Sequence, residues 1–322
     1  MDCDLVLEGG GVKGIGLVGA VAVLAERGYR FRRVAGSSAG AIVGALVAAG
    51  VPADRLAELV HDVDYRQFRD PGWLDRVPLV GPALSVLFEN GVFEGDAVRR
   101  WVDDRLREAG VRTFGDLRID DDDGTALPEG RRYRLVVTAS DVSSGRLVRL
   151  PWDYPRYGLD PDEQPVADAV RASASIPFFY EPVELRGRGG ARSTLVDGGL
   201  LSNFPIDTFD RDDGRPPRWP TFGVKLSARP EANQVPRPVS GPFGLATAML
   251  RTMVNARDQM HLDDPCVVDR TIFVDTGTVD SVDFDLSEAD QRLLFGNGRS
   301  AAEEFLAGWD WDGHRARCRG AA

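Results

Sequence analysis

The chain has 322 residues, 43% hydrophobic and 28% charged, enough to bury a sizeable core with ordinary globular character. A formal net charge of −11 argues against nucleic acid as a partner and against attraction to anionic membrane by charge alone. Three cysteines, Cys3, Cys266 and Cys318, stand far apart without a C-x-x-C pair; they suggest neither a disulfide framework nor a zinc site and point to a reducing cytoplasm.

Residues 4–7 read as a short buried strand that runs into Glu8-Gly9-Gly10-Gly11-Val12-Lys13-Gly14, after which residues 15–25 follow a helical pattern. Three consecutive glycines between strand and helix leave backbone N–H groups uncovered at the positive end of a helix dipole, where an anion can bind. A dinucleotide site would want an acidic residue about twenty positions on, where Val34, Ala35 and Gly36 stand instead. A P-loop would want Lys and then Ser or Thr after its last glycine, but Gly14 is followed by Ile15 and Gly16. An oxyanion hole is the third reading, because loops after parallel strands open at one edge of a sheet. The apolar run at 15–25 is preceded by Asp2, Asp4 and Glu8 against Lys13 alone, the wrong sign for a signal peptide.

A second strand at 31–35 leads into Gly36-Ser37-Ser38-Ala39-Gly40 and an apolar helix at 41–49. Strand, tight turn and helix are the setting of a nucleophile elbow, with small neighbours around a strained serine. The plainer alternative is a turn in which Ser38 only caps the helix. A helix is expected at 54–62, and residues 71–93, rich in apolar side chains and broken by Pro71, Pro78, Pro82 and Gly91, read as a lid or interfacial patch over the Ser38 crevice, or as core. Helices at 95–108 and 166–173 and a strand at 132–139 follow; Asp120 to Asp123 with Gly124 lack the EF-hand pattern and read as a solvated hairpin loop.

Ser193-Thr194-Leu195-Val196-Asp197-Gly198-Gly199 reads as a strand that delivers Asp197 at its carboxyl end. A triad would need one of His61, His261 and His314; His261 is the least implausible, but a polar surface histidine at a helix end is the favoured reading of it. Beyond residue 210 come loop-rich stretches at 211–220 and 228–244, strands at 221–226 and 270–275, and a helix at 245–261. One or two final helices are expected over 287–306, capped by Ser287, with a loosely held tail from Gly308. No apolar run reaches the roughly eighteen residues of a membrane span, and no internal repeat is visible.

Gly9-Gly10-Gly11-Val12-Lys13-Gly14, Gly36-Ser37-Ser38-Ala39-Gly40 and Asp197-Gly198-Gly199, in this order, resemble the three signature motifs of the patatin-like phospholipase family, bacterial members included. The stretch from Ala172 to Phe179 is similar to the segment that precedes the catalytic aspartate there. The resemblance implies an α/β fold, a patatin-like three-layer α/β/α arrangement around a mainly parallel sheet, with a catalytic core over residues 4–210 and residues 211–322 completing the same domain. It further implies a Ser–Asp dyad that cleaves acyl esters of phospholipids or lysophospholipids with no histidine, metal or cofactor. Carried over by position, Ser38 is the nucleophile, Asp197 the general base, and Gly9, Gly10, Gly11, Lys13 and Gly14 form the oxyanion hole, supported by Gly36, Gly40, Gly198 and Gly199. Lys13 could polarise that hole or form a salt bridge at the helix start.

An aspartate near its ordinary pKa of about 4 is a poor base for a hydroxyl, so a dyad requires partial desolvation of Asp197. The expected partners are a lipid ester and, transiently, a membrane surface, for a cytoplasmic or peripheral protein. Acyl transfer to another alcohol, or a non-catalytic module that keeps the glycine loop for phosphate, are the competing readings.

Overall fold

The computed structural model describes residues 1–68, 93–120, 127–227, 261–281 and 283–318, and between these 239, 241, 245, 248, 249, 252 and 253. Strands β1 (Asp2–Leu7), β2 (Arg30–Gly36) and β3 (Leu135–Asp141) lie parallel, with α1 (Gly14–Glu26) connecting the first two. Helices α2 (Ala39–Ala48), α3 (Ala53–Asp62) and α4 (Asp96–Glu108) lie between β2 and β3. Parallel neighbours require such crossovers, because the chain must return to its starting edge.

β4 (Arg146–Leu150) folds back on β3 as an antiparallel hairpin. After α5 (Val166–Ser173), β5 (Val183–Arg186) and β6 (Arg192–Asp197) pair antiparallel, and β6 joins the other edge of β3. The short α6 (Gly199–Ser202) leads on to β7 (Thr221–Lys225), which pairs parallel with β1, and α7 (Pro265–Asp269) to β8 (Thr271–Phe273), which pairs parallel with β7. Helices α8 (Glu288–Gly308) and α9 (Trp311–Arg317) follow. The sheet runs β5-β6-β3-β2-β1-β7-β8 with β4 on β3, so the mainly parallel α/β fold expected from the sequence is the one formed. The segment after residue 210 places β7 beside the first strand of the chain, within this same sheet.

Alternation along the strands splits the core in two. Leu5 and Leu7 of β1 join Val34, Leu135 and Val137 in the larger cluster with α1 and α2, whereas Val6, Ala35 and Val136 face Phe204, Ile206, Phe209 and Val267. Where they are buried on both faces, at residues 5–7, 34–36 and 135–137, these strands read as short apolar runs. β4 and β5, with sequences Arg-Leu-Val-Arg-Leu and Val-Glu-Leu-Arg, are not among the expected strands; each is partly exposed and interrupted by two charged residues, so neither carries such a run.

Helix α1 is buried from Gly14 through Leu24, as a helix apolar on all sides must be. One side meets the sheet and the other meets α8 at close range: a Cβ on Gly19 would lie 2.2 Å from the Phe295 carbonyl oxygen, and one on Gly298 would lie 2.0 Å from that of Gly16. Ser287 caps α8 as expected, its hydroxyl accepting from the Asp290 N–H at 3.2 Å.

Two expectations for the C-terminal region are overturned. Cys266 and Cys318 form a disulfide across a separation of 52 residues; linear spacing says nothing of pairing that tertiary contact creates, and the inference of a reducing compartment loses its basis. From Gly308 to Cys318 the tail is not loose, because α9 buries His314 and is followed by the disulfide at Cys318. The candidate lid lies outside the described residues except for Phe93, whose N–H donates to the Phe179 carbonyl at 2.8 Å. The Asp-rich loop likewise lies outside them apart from Asp120, and the expected helix at 245–261 is described only in part.

Gly298→Val tests the α1–α8 contact. Overpacking of this kind costs about 1–3 kcal/mol, so thermal unfolding should shift down by several degrees; an unchanged Tm would mean that the helices separate freely.

Candidate active site

Ser38 sits between β2 and α2 with φ 52° and ψ −121°, a region that side chains other than glycine rarely occupy and that costs roughly 1–3 kcal/mol. The turn closes only because its neighbours are small: a Cβ on Gly36 would lie 2.2 Å from the Gly40 carbonyl oxygen, and one on Gly40 would lie 2.3 Å from that of Leu7. The Ser38 N–H donates to Ser173 Oγ at 2.9 Å. Ser173 ends α5 and acts twice, since its carbonyl also accepts from the Gly198 N–H at 3.2 Å, while the Ser175 carbonyl accepts from the Asp197 N–H at 2.8 Å. Arg171, itself buried, holds this segment by donating to Ser175 Oγ at 2.5 Å and to the carbonyls of Glu94 and Glu181.

Asp197 emerges at the end of β6, buried like Ser38. Its Oδ1 accepts from the Gly199 N–H at 2.7 Å, and Oδ2 is buried without a hydrogen-bond partner of normal geometry among the described residues. Burial pushes the carboxyl pKa up to about 6, against the opposing pull of the Ser38 hydroxyl and the Gly199 N–H. The hydroxyl thus acts on the carboxylate without a closed hydrogen bond, a loose geometry common before substrate binds.

The glycine loop packs against the same turn, a Cβ on Gly9 falling 2.3 Å from Asn203 Oδ1 and 3.1 Å from Ser38 Cβ. Its five expected oxyanion positions are not equivalent. The Gly9 N–H donates to the Asn203 carbonyl at 3.0 Å, the Lys13 N–H to the Gly10 carbonyl at 3.2 Å, and the Gly14 N–H to the Gly11 carbonyl. The N–H groups of Gly10 and Gly11 have no acceptor among the described residues. Gly11 adopts φ 56°, and a Cβ there would strike the Ser281 carbonyl oxygen at 1.9 Å. Half-buried Lys13 has an interaction partner of its own.

Behind the loop, the buried Glu8 carboxylate pairs with Lys225, accepts from the Leu226 N–H, and accepts from Asn203 Nδ2 at 3.2 Å; that Nδ2 also donates to the Gly9 carbonyl at 3.1 Å. Ser173 falls within the family-like stretch from Ala172 to Phe179 and Glu8 directly precedes the glycine loop, but neither is singled out by the sequence, and Asn203 and Lys225 carry no motif signal at all. No histidine contact to Ser38 or Asp197 is found among the described residues: His61 lies exposed by Asp62, and His314 pairs with Asp269.

A family model, patatin-like phospholipase, matches residues 5–210. The chain belongs to the patatin-like phospholipase family. It is 37% identical over 311 residues to the uncharacterised protein YqhO of Bacillus subtilis, covering 97% of this chain and all of that one. An uncharacterised NTE family protein of Mycobacterium tuberculosis is 30% identical over 202 residues, 63% of this chain and 44% of its own length. In structure the patatin-like chain is similar to VipD from Legionella pneumophila, with TM-score 0.55, 19% identity and coverage of 95% and 66% of the two chains. It is also similar to the type III effector protein ExoU, with TM-score 0.50, 18% identity and coverage of 95% and 53%. The chain thus spans about half to two thirds of these structures, and the likeness is one of fold.

Two substitutions probe the site. An Asp197 pKa raised from 3.8 to about 6 means that this residue's contribution to stability is complete below pH 4 and lost as pH rises through 6. Ionised Asp197 therefore costs the fold about 3 kcal/mol at neutral pH, and Asp197→Asn should raise Tm at pH 7.5 but not at pH 4; equal effects at both would refute the burial argument. Ser173→Ala leaves the buried Ser38 N–H unpaired, at about 1–3 kcal/mol, and should lower kcat at least about tenfold with KM little changed. A loss confined to KM would contradict a positioning role for Ser173.

Proposed function

We propose that the protein hydrolyses acyl esters of phospholipids or lysophospholipids through Ser38 and Asp197. The observation that carries this reading is a strained serine beside a buried carboxyl of raised pKa, with two glycine amides that have no acceptor among the described residues on the loop packed against the serine's turn. Asp197 takes the Ser38 proton as Oγ attacks the ester carbonyl, and the Gly10 and Gly11 N–H groups hold the oxyanion. The Ala39 N–H, likewise without an acceptor among the described residues, is a third donor on the residue after the nucleophile. Collapse expels the lipid alcohol with the proton from Asp197 and leaves an acyl-serine; water, deprotonated by Asp197, then releases the fatty acid and restores Ser38. A pKa near 6 suits the base to neutral pH far better than an ordinary aspartate.

Among the described residues no helix is long and apolar enough to cross a membrane, so the substrate has to be met at its surface. Phe178, 66% exposed at φ 68° in the segment beyond Ser173, and the exposed helical side chains Leu245, Met249 and Met253, spaced four apart, supply apolar contacts for that encounter.

Fatty acid release from mixed phospholipid and lysophospholipid micelles tests the reading with wild type, Ser38→Ala, Asp197→Asn and His261→Ala. Activity should vanish in the first two variants and persist in the third, and a fluorophosphonate should label wild type and His261→Ala but not Ser38→Ala. Below pH 6 the wild-type kcat/KM should fall about tenfold per pH unit, as the base is protonated. Loss of activity in a folded His261→Ala protein would replace the dyad by a triad; an unlabelled wild type would leave a binding module.

A further inference from the structure

The disulfide at the C-terminal end lies among groups that a structural crosslink does not need. Cys266 and Asp269 stand three residues apart on α7, and His314 on α9 stands four before Cys318, which caps that helix and whose N–H donates to the His314 carbonyl, spacings that bring each pair to one face. His314 Nδ1 is 2.8 Å from Asp269 Oδ2 and 3.8 Å from Cys318 Sγ, and these three ligand atoms all lie within 4.8 Å of one another. Cys266 joins them through its bond to Cys318. In a tetrahedral zinc site such atoms sit about 3.3–3.8 Å apart, so sub-ångström adjustments about His314 and separation of the two sulfurs would complete the geometry.

We propose that Cys266, Asp269, His314 and Cys318 form a zinc site in the dithiol state of the protein, for which the disulfide is the oxidised counterpart. A thiol or phosphine reductant supplies two electrons, and with two protons the S–S bond becomes two thiols. Zn2+ then binds both sulfurs, His314 Nδ1 and an Asp269 oxygen, displacing the two thiol protons to solvent. The order C-x2-D and H-x3-C follows the C-x2-C and H-x3-H spacing of structural zinc sites, with an aspartate in one cysteine position and a cysteine in one histidine position.

The surroundings fit this charge. Two thiolates, one carboxylate and a neutral imidazole leave the zinc complex at −1, and the Arg317 guanidinium, 2.6 Å from Asp269 Oδ2, balances it. The His314 ring is buried and packed by Trp309 and Trp311, with centroids 5.1 and 6.0 Å away, which fixes its orientation as a second shell does. Helices of five and seven residues are too short to persist alone. A tie between them, covalent or metallic, is what fastens α9 to α7, and the metal keeps that tie when the sulfurs are reduced.

The test uses the full chain, reduced with a phosphine and then desalted, with cobalt and zinc ions as the probes. The reduced wild type should retain about one metal ion per chain, and its cobalt form should show thiolate-to-metal charge transfer and intense tetrahedral d–d absorption. Oxidised protein should retain none. Cys266→Ser and Cys318→Ser should weaken the charge-transfer band, and His314→Gln should reduce affinity beyond the roughly 10–100-fold that loss of an outer partner costs. Far-UV circular dichroism of each sample separates loss of a ligand from loss of fold, and His314→Gln decides the matter if a cysteine variant unfolds. Reduced, folded wild type that retains no metal, or retention indifferent to His314→Gln, overturns the proposal and leaves a disulfide beside a surface ion-pair network.

Discussion

The carboxylate of Glu8, buried where β1 ends, holds together pieces of chain that lie some two hundred residues apart. It meets the Lys225 ammonium and the Leu226 N–H at the end of β7, and through Asn203 it reaches the turn after Asp197. Asn203 in turn grips Gly9 from both sides, its carbonyl accepting the Gly9 N–H and its Nδ2 donating to the Gly9 carbonyl. A charge withdrawn from water is tolerable only when paired and hydrogen-bonded on every side. Here that requirement orients the glycine loop, because any displacement of the loop would strip the carboxylate of its partners. The order of β2, β1 and β7 in the sheet follows the same logic, with the glycine loop leaving the central strand and its anchors arriving on the neighbour.

On this frame the site gathers unfavourable terms. Ser38 occupies a backbone region that costs stability, Asp197 is an acid desolvated until its pKa rises to about 6, and the N–H groups of Gly10, Gly11 and Ala39 stay without an acceptor among the described residues. Each is costly for folding and useful for acyl chemistry, since a strained serine is presented, a desolvated carboxylate is a better base, and unclaimed donors are free for an oxyanion. Compensation comes from strands buried on both faces and from α1, enclosed between the sheet and α8. Ser173 couples the turns that carry Ser38 and Asp197 directly, its hydroxyl serving Ser38 and its carbonyl Gly198.

The C-terminal third belongs to this architecture as much as the motif-bearing part does. β7 fills the position next to β1, and α8 covers the side of α1 that the sheet does not. The family model ends at residue 210, yet the likeness to YqhO runs over nearly the whole chain, in keeping with a sheet that is incomplete without β7.

Local physics was enough for the central elements. Buried parallel strands have to be apolar throughout, α1 has to be apolar on every side, and an elbow between strand and helix has to have glycines where Gly36 and Gly40 stand, so composition at those places determined structure at short range. The edge strands β4 and β5, each interrupted by two charged residues, lacked that signature. Of the glycine loop, the sequence showed that backbone N–H groups would be uncovered; which ones remain free for an anion was decided by Asn203, whose carbonyl claims Gly9 and leaves Gly10 and Gly11. The roles of Ser173, Glu8 and Lys225, the pairing of Cys266 with Cys318 and the burial of His314 likewise arise from contacts across long separations in the chain. The sequence by itself determined the elements, the order of the motifs and the chemical types at the site, because these depend on neighbours three or four residues away; only the tertiary structure decided which donors are spent and how far Asp197 is desolvated, because burial and partnership belong to groups that meet when the sheet closes.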